Sequence, residues 1–260
     1  MSLFDLTGKV GLVTGGNQGL GLGFASGMAK CGADVVLWGR RAARNEAAAD
    51  ELRAHGVRVL AQEVDVTDEH AVADAMREVV AEMGRVDCVV ANAGASSRPE
   101  SFHEMTSEMY HDLLAVSQHG AFHTLREAVR HMKQRADDGD PGGSLIACGS
   151  LMAIRGTRRL EHYAAAKGAL LSMVRGIAVE YGRDGIRANV VAPGFFETDL
   201  TRSTYGDAPA DGARRWSRYP VPRAGNPADL EGITAYLMSD ASVYHTGDLI
   251  VIDGGLSVGL

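Results

Sequence analysis

Tyr163 and Lys167 frame the segment Tyr163-Ala164-Ala165-Ala166-Lys167. On a helix this spacing puts both side chains on one face, about 5–6 Å apart at Cβ. Reducing a carbonyl needs an acid that donates to the nascent alkoxide, and oxidising an alcohol needs the same group as a base. A free phenol, with a pKa of about 10, is a poor base at neutral pH. A nearby ammonium favours the phenolate and is expected to lower that pKa by roughly 1–3 units. Ser150, thirteen residues before Tyr163, offers a hydroxyl that can hydrogen-bond the substrate oxygen and hold it against the tyrosine. A lone Y-x-x-x-K is most often a surface pair, so the surrounding frame carries the argument.

That frame begins with Thr14-Gly15-Gly16-Asn17-Gln18-Gly19-Leu20-Gly21, between an apolar run and a helical stretch. Glycines there let the backbone turn sharply and approach a pyrophosphate, while the helix N-terminus offers free N–H groups and a positive dipole. A glycine-rich turn is a weak signal alone, and its place at the first strand-to-helix crossover gives it weight. The spacing is T-G-x-x-x-G-x-G and not the general G-x-G-x-x-G. Cofactor choice turns on the end of the second strand, Trp38-Gly39-Arg40-Arg41. An acidic residue there would accept from a ribose 2′-hydroxyl, whereas the planar forks of Arg40 and Arg41 suit a 2′-phosphate. NADP(H) is therefore favoured. Gln18, where a basic residue would have strengthened this choice, keeps NAD(H) as the alternative.

Strands are expected over residues 9–14, 34–38, 58–64, 86–91, 144–148, 186–191 and 249–252. Helices are expected to about residue 30 and over about 42–55, 68–83, 107–134, 160–181 and 227–239. Continuous apolar strands alternating with helices indicate a parallel sheet covered on both faces. Right-handed crossovers then give an α/β, Rossmann-type doubly wound fold. No repeat or composition break divides the chain, so residues 1–260 read as one domain. The aperiodic stretch 193–226 holds Arg214, Arg215, Trp216, Arg218, Tyr219 and Arg223. Such a long loop is often a lid, and about 194–226 is expected to border the substrate; a surface excursion or a subunit contact is the alternative.

Taken in order, these motifs resemble the short-chain dehydrogenase/reductase family in its single-domain branch, across residues 14–255. The resemblance implies strand order 3-2-1-4-5-6-7 and a catalytic set of Ser150, Tyr163 and Lys167. It implies that Gly15, Asn17, Gln18, Gly19, Leu20 and Gly21 border the cofactor, and that Asp65, with Val66 beside it, meets the adenine. Asn92-Ala93-Gly94 would support the sheet near the ribose. Pro193-Gly194, Phe196 and Thr198 would contact the carboxamide and phosphates. The family commonly has asparagine where this chain has Ser117, a residue tied to a water relay to the lysine. The expectation is slower proton exchange without loss of activity, and a Ser117→Asn variant with equal or raised turnover. The C-terminal segment 246–255 resembles the family's last strand and implies a homotetramer.

The formal charge of −7 and a pI near 5.7 argue against a nucleic-acid partner. No run approaches the roughly 18 apolar residues of a membrane span, and the N-terminus shows no leader pattern. Cys31, Cys88 and Cys148 are few and widely spaced, which fits free thiols in a reducing cytoplasm. His119 and His123 share a helix face but lack further ligands, so no metal is expected. Arg155, Arg158, Arg159 and His162 precede Tyr163 and form either a solvated loop or a grip on an anionic substrate group. The small-molecule partner is a carbonyl or alcohol. The rival, a catalytically weak nucleotide sensor on the same fold, would have been favoured by loss of Tyr163 or Lys167.

Overall fold

Strand residues alternate between two apolar layers, which fixes the architecture. In the computed structural model, which describes residues 3–205, 216 and 219–259, strands β1 (Val10–Thr14), β2 (Asp34–Gly39), β3 (Val59–Glu63), β4 (Cys88–Ala91), β5 (Gly143–Cys148), β6 (Ile186–Pro193) and β7 (Leu249–Ile252) form one sheet. Its order is β3-β2-β1-β4-β5-β6-β7, and each pairing is parallel. Leu12, Val36, Val89 and Leu145 point into one layer, and Val13, Leu37, Val90 and Ile146 into the other. A period of two burying both sets is what helices on both faces require.

The first layer packs α3 (Glu69–Met83), α5 (Gly120–Asp137) and α6 (Glu161–Tyr181). The second packs α1 (Gly19–Lys30), α2 (Ala42–Arg53) and a helix over Glu231–Met238 near the C-terminus. Two further helices occur among the described residues: α4 (Ser107–Leu114) before α5, and α7 (Asp199–Tyr205); the Glu231–Met238 helix is labelled α8. Among the described residues no helix is long and apolar enough to cross a membrane. Cys88 and Cys148 are buried free thiols, and Cys31 is partly exposed; burial pushes the Cys88 thiol up to about 12.

Three differences from the sequence reading lie next to the cleft. The helix expected over 107–134 is interrupted by a π-turn at Ala115–His119. The extra residue in that turn shifts the register between α4 and α5, a feature periodicity cannot show and one that recurs at functional sites. The aperiodic stretch after β6 contains α7, too short to reveal a period. β6 runs on to Pro193 because Ala192 and Pro193 still pair with Val251 and Ile252. Arg214, Arg215 and Arg218 lie outside the described residues. Trp216 packs against Phe195 and Tyr219, with ring centroids 5.2 Å apart in each pair.

Candidate active site

One cleft opens at the C-terminal ends of the strands, where the chain order reverses between β1 and β4; ligands of doubly wound sheets bind at such a point. The residues expected at the cofactor, from Gly15 through Thr198, line it together with Ser150, Tyr163 and Lys167. Ser117 does not. It is fully buried, and its Oγ accepts from the Ala95 N–H at 3.0 Å and lies 3.4 Å from the Ala95 carbonyl. Ser117 thus orders the chain behind Gly94 and does not itself line the cleft.

Thr14 is the hub of the floor. Its Oγ1 accepts from the N–H groups of Asn92 (3.0 Å) and Ala93 (2.9 Å). Asn92 returns its side-chain amide to the carbonyls of Thr14 (2.9 Å) and Gly15 (3.3 Å). The glycine turn is thus laced to the end of β4. Gly21 must approach that lacing: a Cβ there would stand 2.1 Å from the Gly15 oxygen and 2.6 Å from Asn92 Nδ2. Gln18 ends the turn in extended backbone, and no side chain caps α1. The uncapped helix end faces the cleft, which fits a pyrophosphate.

Arginines gather where the cleft meets the end of β2. Gln18 Oε1 accepts from Arg41 at 2.8 Å and also from Arg44, so two guanidinium groups converge on one neutral oxygen. Arg40 lies 3.9 Å from Asp65, and Arg44 lies 3.6 Å from Asp199 at the start of α7. Asn45, buried in α2, donates to the carbonyls of Gly39 (2.8 Å) and Gln62 (2.9 Å) and accepts from Asn17 at 2.5 Å. A Cβ on Gly39 would lie 2.6 Å from both amide groups. A side chain at the end of β2 would therefore have to displace the Asn17–Asn45 pair, and the sequence has no acidic residue there. Sequence reasoning passed over Arg44 and Asn45. Arg44 is three residues beyond Arg41, on the same helical face, and Asn45 is a polar residue in an alanine-rich run.

Around the reacting groups, Lys167 is buried and its Nζ donates to the Cys148 carbonyl at 2.7 Å. It sits 5.7 Å from the Tyr163 ring centroid. Burial lowers the lysine's pKa and raises the tyrosine's, against a weaker opposing pull from a hydrogen bond with Ser150. The expected fall in the phenol's pKa is thus reversed here: the ammonium is turned to a carbonyl, and desolvation of the phenolate dominates. Ser150 Oγ also accepts from the Met152 N–H at 3.2 Å, which fixes its direction.

The other candidates have separate tasks. His123 Nδ1 donates to the Val66 carbonyl at 3.0 Å, and no cluster of metal-ligating side chains occurs among the described residues. Arg159 Nε donates to the Pro99 carbonyl at 2.6 Å, and His162 Nε2 lies 2.8 Å from Ser97 Oγ. His162 is fully buried and Arg159 also lies 3.5 Å from Glu100, so both are engaged with the protein itself, while Arg155 and Arg158 remain exposed.

Residues 15–257 match the family described as enoyl-(acyl carrier protein) reductase. The 5-keto-D-gluconate 5-reductase of Escherichia coli is 34% identical over 256 residues, covering 98% of each chain. The gluconate 5-dehydrogenase of Gluconobacter oxydans is 32% identical over 260 residues, covering 99% of this chain and 98% of that one. The crystal structure of a gluconate 5-dehydrogenase from Burkholderia cenocepacia, in complex with NADP and tartrate, superposes with a TM-score of 0.91 at 31% identity, covering 99% of this chain and 98% of that one. Parallel sheet, glycine turn and Ser/Tyr/Lys cleft already define a nucleotide-dependent hydride-transfer fold, and with these matches the chain belongs to the short-chain dehydrogenase/reductase family. It is an NAD(P)-dependent oxidoreductase acting on a carbonyl/alcohol pair.

Proposed function

We propose that this enzyme uses NADP(H) to reduce a small polar carbonyl substrate, with gluconate-type keto acids the first class to test. The observation that carries the cofactor choice is the convergence of Arg41 and Arg44 on Gln18, with Arg40 next to them, beside a Gly39 where any side chain would press on the Asn17–Asn45 pair. Planar guanidinium donors suit a phosphate dianion. The substrate class is supported by two relatives aligned over nearly the whole chain, a 5-keto-D-gluconate reductase and a gluconate dehydrogenase.

The glycine turn and the start of α1 would hold the pyrophosphate, Asp65 and Val66 the adenine, and Asn92, Ala93 and Gly94 the ribose. Pro193, Gly194, Phe196 and Thr198 would border the nicotinamide half. When bound, the nicotinamide would supply or accept the hydride. Ser150 orients the substrate oxygen toward Tyr163, whose phenol burial keeps protonated and ready to donate. Lys167, anchored on Cys148, holds positive charge near the phenolate left after that donation and favours its formation.

Residues 1–260 act as one domain, with about 194–226 as the substrate-side segment. A homotetramer is supported by apolar side chains left exposed on α6 (Val179) and near the C-terminus (Val243, Tyr244), and static light scattering giving a monomer mass would reject it. A cytoplasmic location is supported by three free thiols.

The test is NADPH oxidation with a panel of keto-sugar acids, ketoses and simple ketones, run beside Tyr163→Phe. Turnover that falls roughly 100-fold or more in the variant is expected. Equal turnover in both proteins would refute the role of Tyr163.

A further inference from the structure

Residues 95–99 leave the end of β4 and pass along the start of α6, and three side chains hold them there. Ser117 Oγ engages the N–H and carbonyl of Ala95. His162 Nε2 meets Ser97 Oγ at 2.8 Å. Arg159 Nε holds the Pro99 carbonyl at 2.6 Å. At the inner end, a Cβ on Gly94 would lie 3.7 Å from Lys167 Nζ. The strip therefore begins beside Lys167, passes His162 and ends at Arg159. It runs antiparallel to the helical segment that carries Tyr163 between those contacts.

Two features show that this arrangement is held at a cost. Arg159 has φ +69°, a left-handed conformation uncommon for a residue with a Cβ. His162 is fully buried, yet its Nδ1 has no hydrogen-bond partner. A leucine would fill that space without an unpaired nitrogen. The one polar contact His162 does make is across the chain, to Ser97.

We propose that His162 is a positioning residue: through Ser97 it holds residues 95–99, which continue from the cleft-lining Asn92–Gly94, against the helix start that carries Tyr163, and so sets how tightly the carbonyl substrate binds while leaving the cofactor site unchanged. The proposal rests on Tyr163 being the proton donor. Ser117 and Arg159 hold the two ends of this strip, and His162 holds its middle, nearest in sequence to the reacting phenol.

The variants are Ser97→Ala and His162→Leu, their double mutant, and the conservative Ser97→Thr and His162→Gln, which keep a hydroxyl and an amide of similar reach. Backbone amide exchange of residues 95–99 is measured in the NADPH-bound enzyme. KM and kcat for 5-keto-D-gluconate and the Kd of NADPH follow. Exchange in the strip is expected to quicken roughly tenfold in Ser97→Ala. KM should rise roughly 10- to 100-fold, with NADPH affinity held within about twofold. The double mutant should be no worse than the single ones, and the conservative variants should restore both readouts.

Unchanged exchange in Ser97→Ala overturns the proposal, as do faster exchange without a rise in KM, equal losses of NADPH affinity, or additive effects in the double mutant. Should His162→Leu fail to fold, Ser97→Ala decides alone. Absence of turnover with 5-keto-D-gluconate would count against the substrate assignment, while the exchange readout would still decide the clamp.

Discussion

Replacing Thr14 by valine removes one oxygen and little volume, yet the structure assigns that oxygen two donors. Thr14 is 1% exposed, and its Oγ1 accepts from Asn92 N–H at 3.0 Å and Ala93 N–H at 2.9 Å. Its own proton points to the Val90 carbonyl at 3.5 Å, too long to count for much. In Thr14→Val both N–H groups lose their acceptor inside the fold, at about 1–3 kcal/mol each. Allowing for partial relaxation of the β4 end, a loss of about 2–4 kcal/mol is expected. Thr14→Ser keeps the oxygen and removes one methyl, for about 1 kcal/mol. Urea denaturation separates the two: the midpoint should fall further for valine than for serine, with the slope m unchanged. NADPH binding should weaken with it, since Asn92 and Ala93 line the cleft proposed to hold the cofactor. A valine variant as stable as the serine one would refute the assignment of Thr14 as the hub that joins the glycine turn to β4.

Further outcomes follow from the same contacts. Gly39→Asp, the change that would imitate an NAD-type strand end, places its Cβ 2.6 Å from the Asn17 and Asn45 amides. It should destabilise by about 1–3 kcal/mol and weaken both cofactors, and a gain in NADH affinity would contradict the packing argument. Because burial raises the Tyr163 pKa, carbonyl reduction should stay nearly level from about pH 6 to 9. Alcohol oxidation, which needs the phenolate, should climb by up to about tenfold per pH unit over that range; a falling oxidation rate would count against Tyr163. Burial lowers the pKa values of His131 and His162 below 6.5, with Arg135 adding to the effect at His131. The unfolded chain therefore binds protons first as pH drops. Stability should fall from 6.5 downward through the folded values, by at most about 1.4 kcal/mol per pH unit for each histidine. His131 Nε2 must stay an acceptor for the Val86 N–H at 3.1 Å, so His131→Gln should flatten part of that slope in urea midpoints taken at about pH 7, 6 and 5.

The sheet was legible because its central strands are apolar on both faces, so Leu12, Val13, Val89 and Val90 read as strand whichever way they point. The catalytic spacing was legible because a helix period of 3.6 leaves Tyr163 and Lys167 adjacent. What stayed hidden depends on contacts between distant segments. The start of β4 lies at Cys88 and not residue 86, because the Asp87 side chain accepts from Val10 N–H and the Val86 N–H is taken by His131. The direction of the Tyr163 pKa depends on how deeply the fold buries the phenol, which spacing does not determine. The π-turn at Ala115–His119 breaks a helix whose composition gives no sign of it. Asn45 reads as an ordinary helix residue until its amide is seen to join β2, β3 and the glycine turn.

The most direct test of the account is a titration of the purified enzyme with NADPH and then NADH, followed by nicotinamide fluorescence at fixed salt. NADPH should bind at least about tenfold tighter, and Arg41→Ala and Arg44→Ala should each remove much of that preference while leaving NADH affinity unchanged. Equal or tighter NADH binding would contradict the 2′-phosphate site, and binding of neither would contradict the cofactor cleft itself.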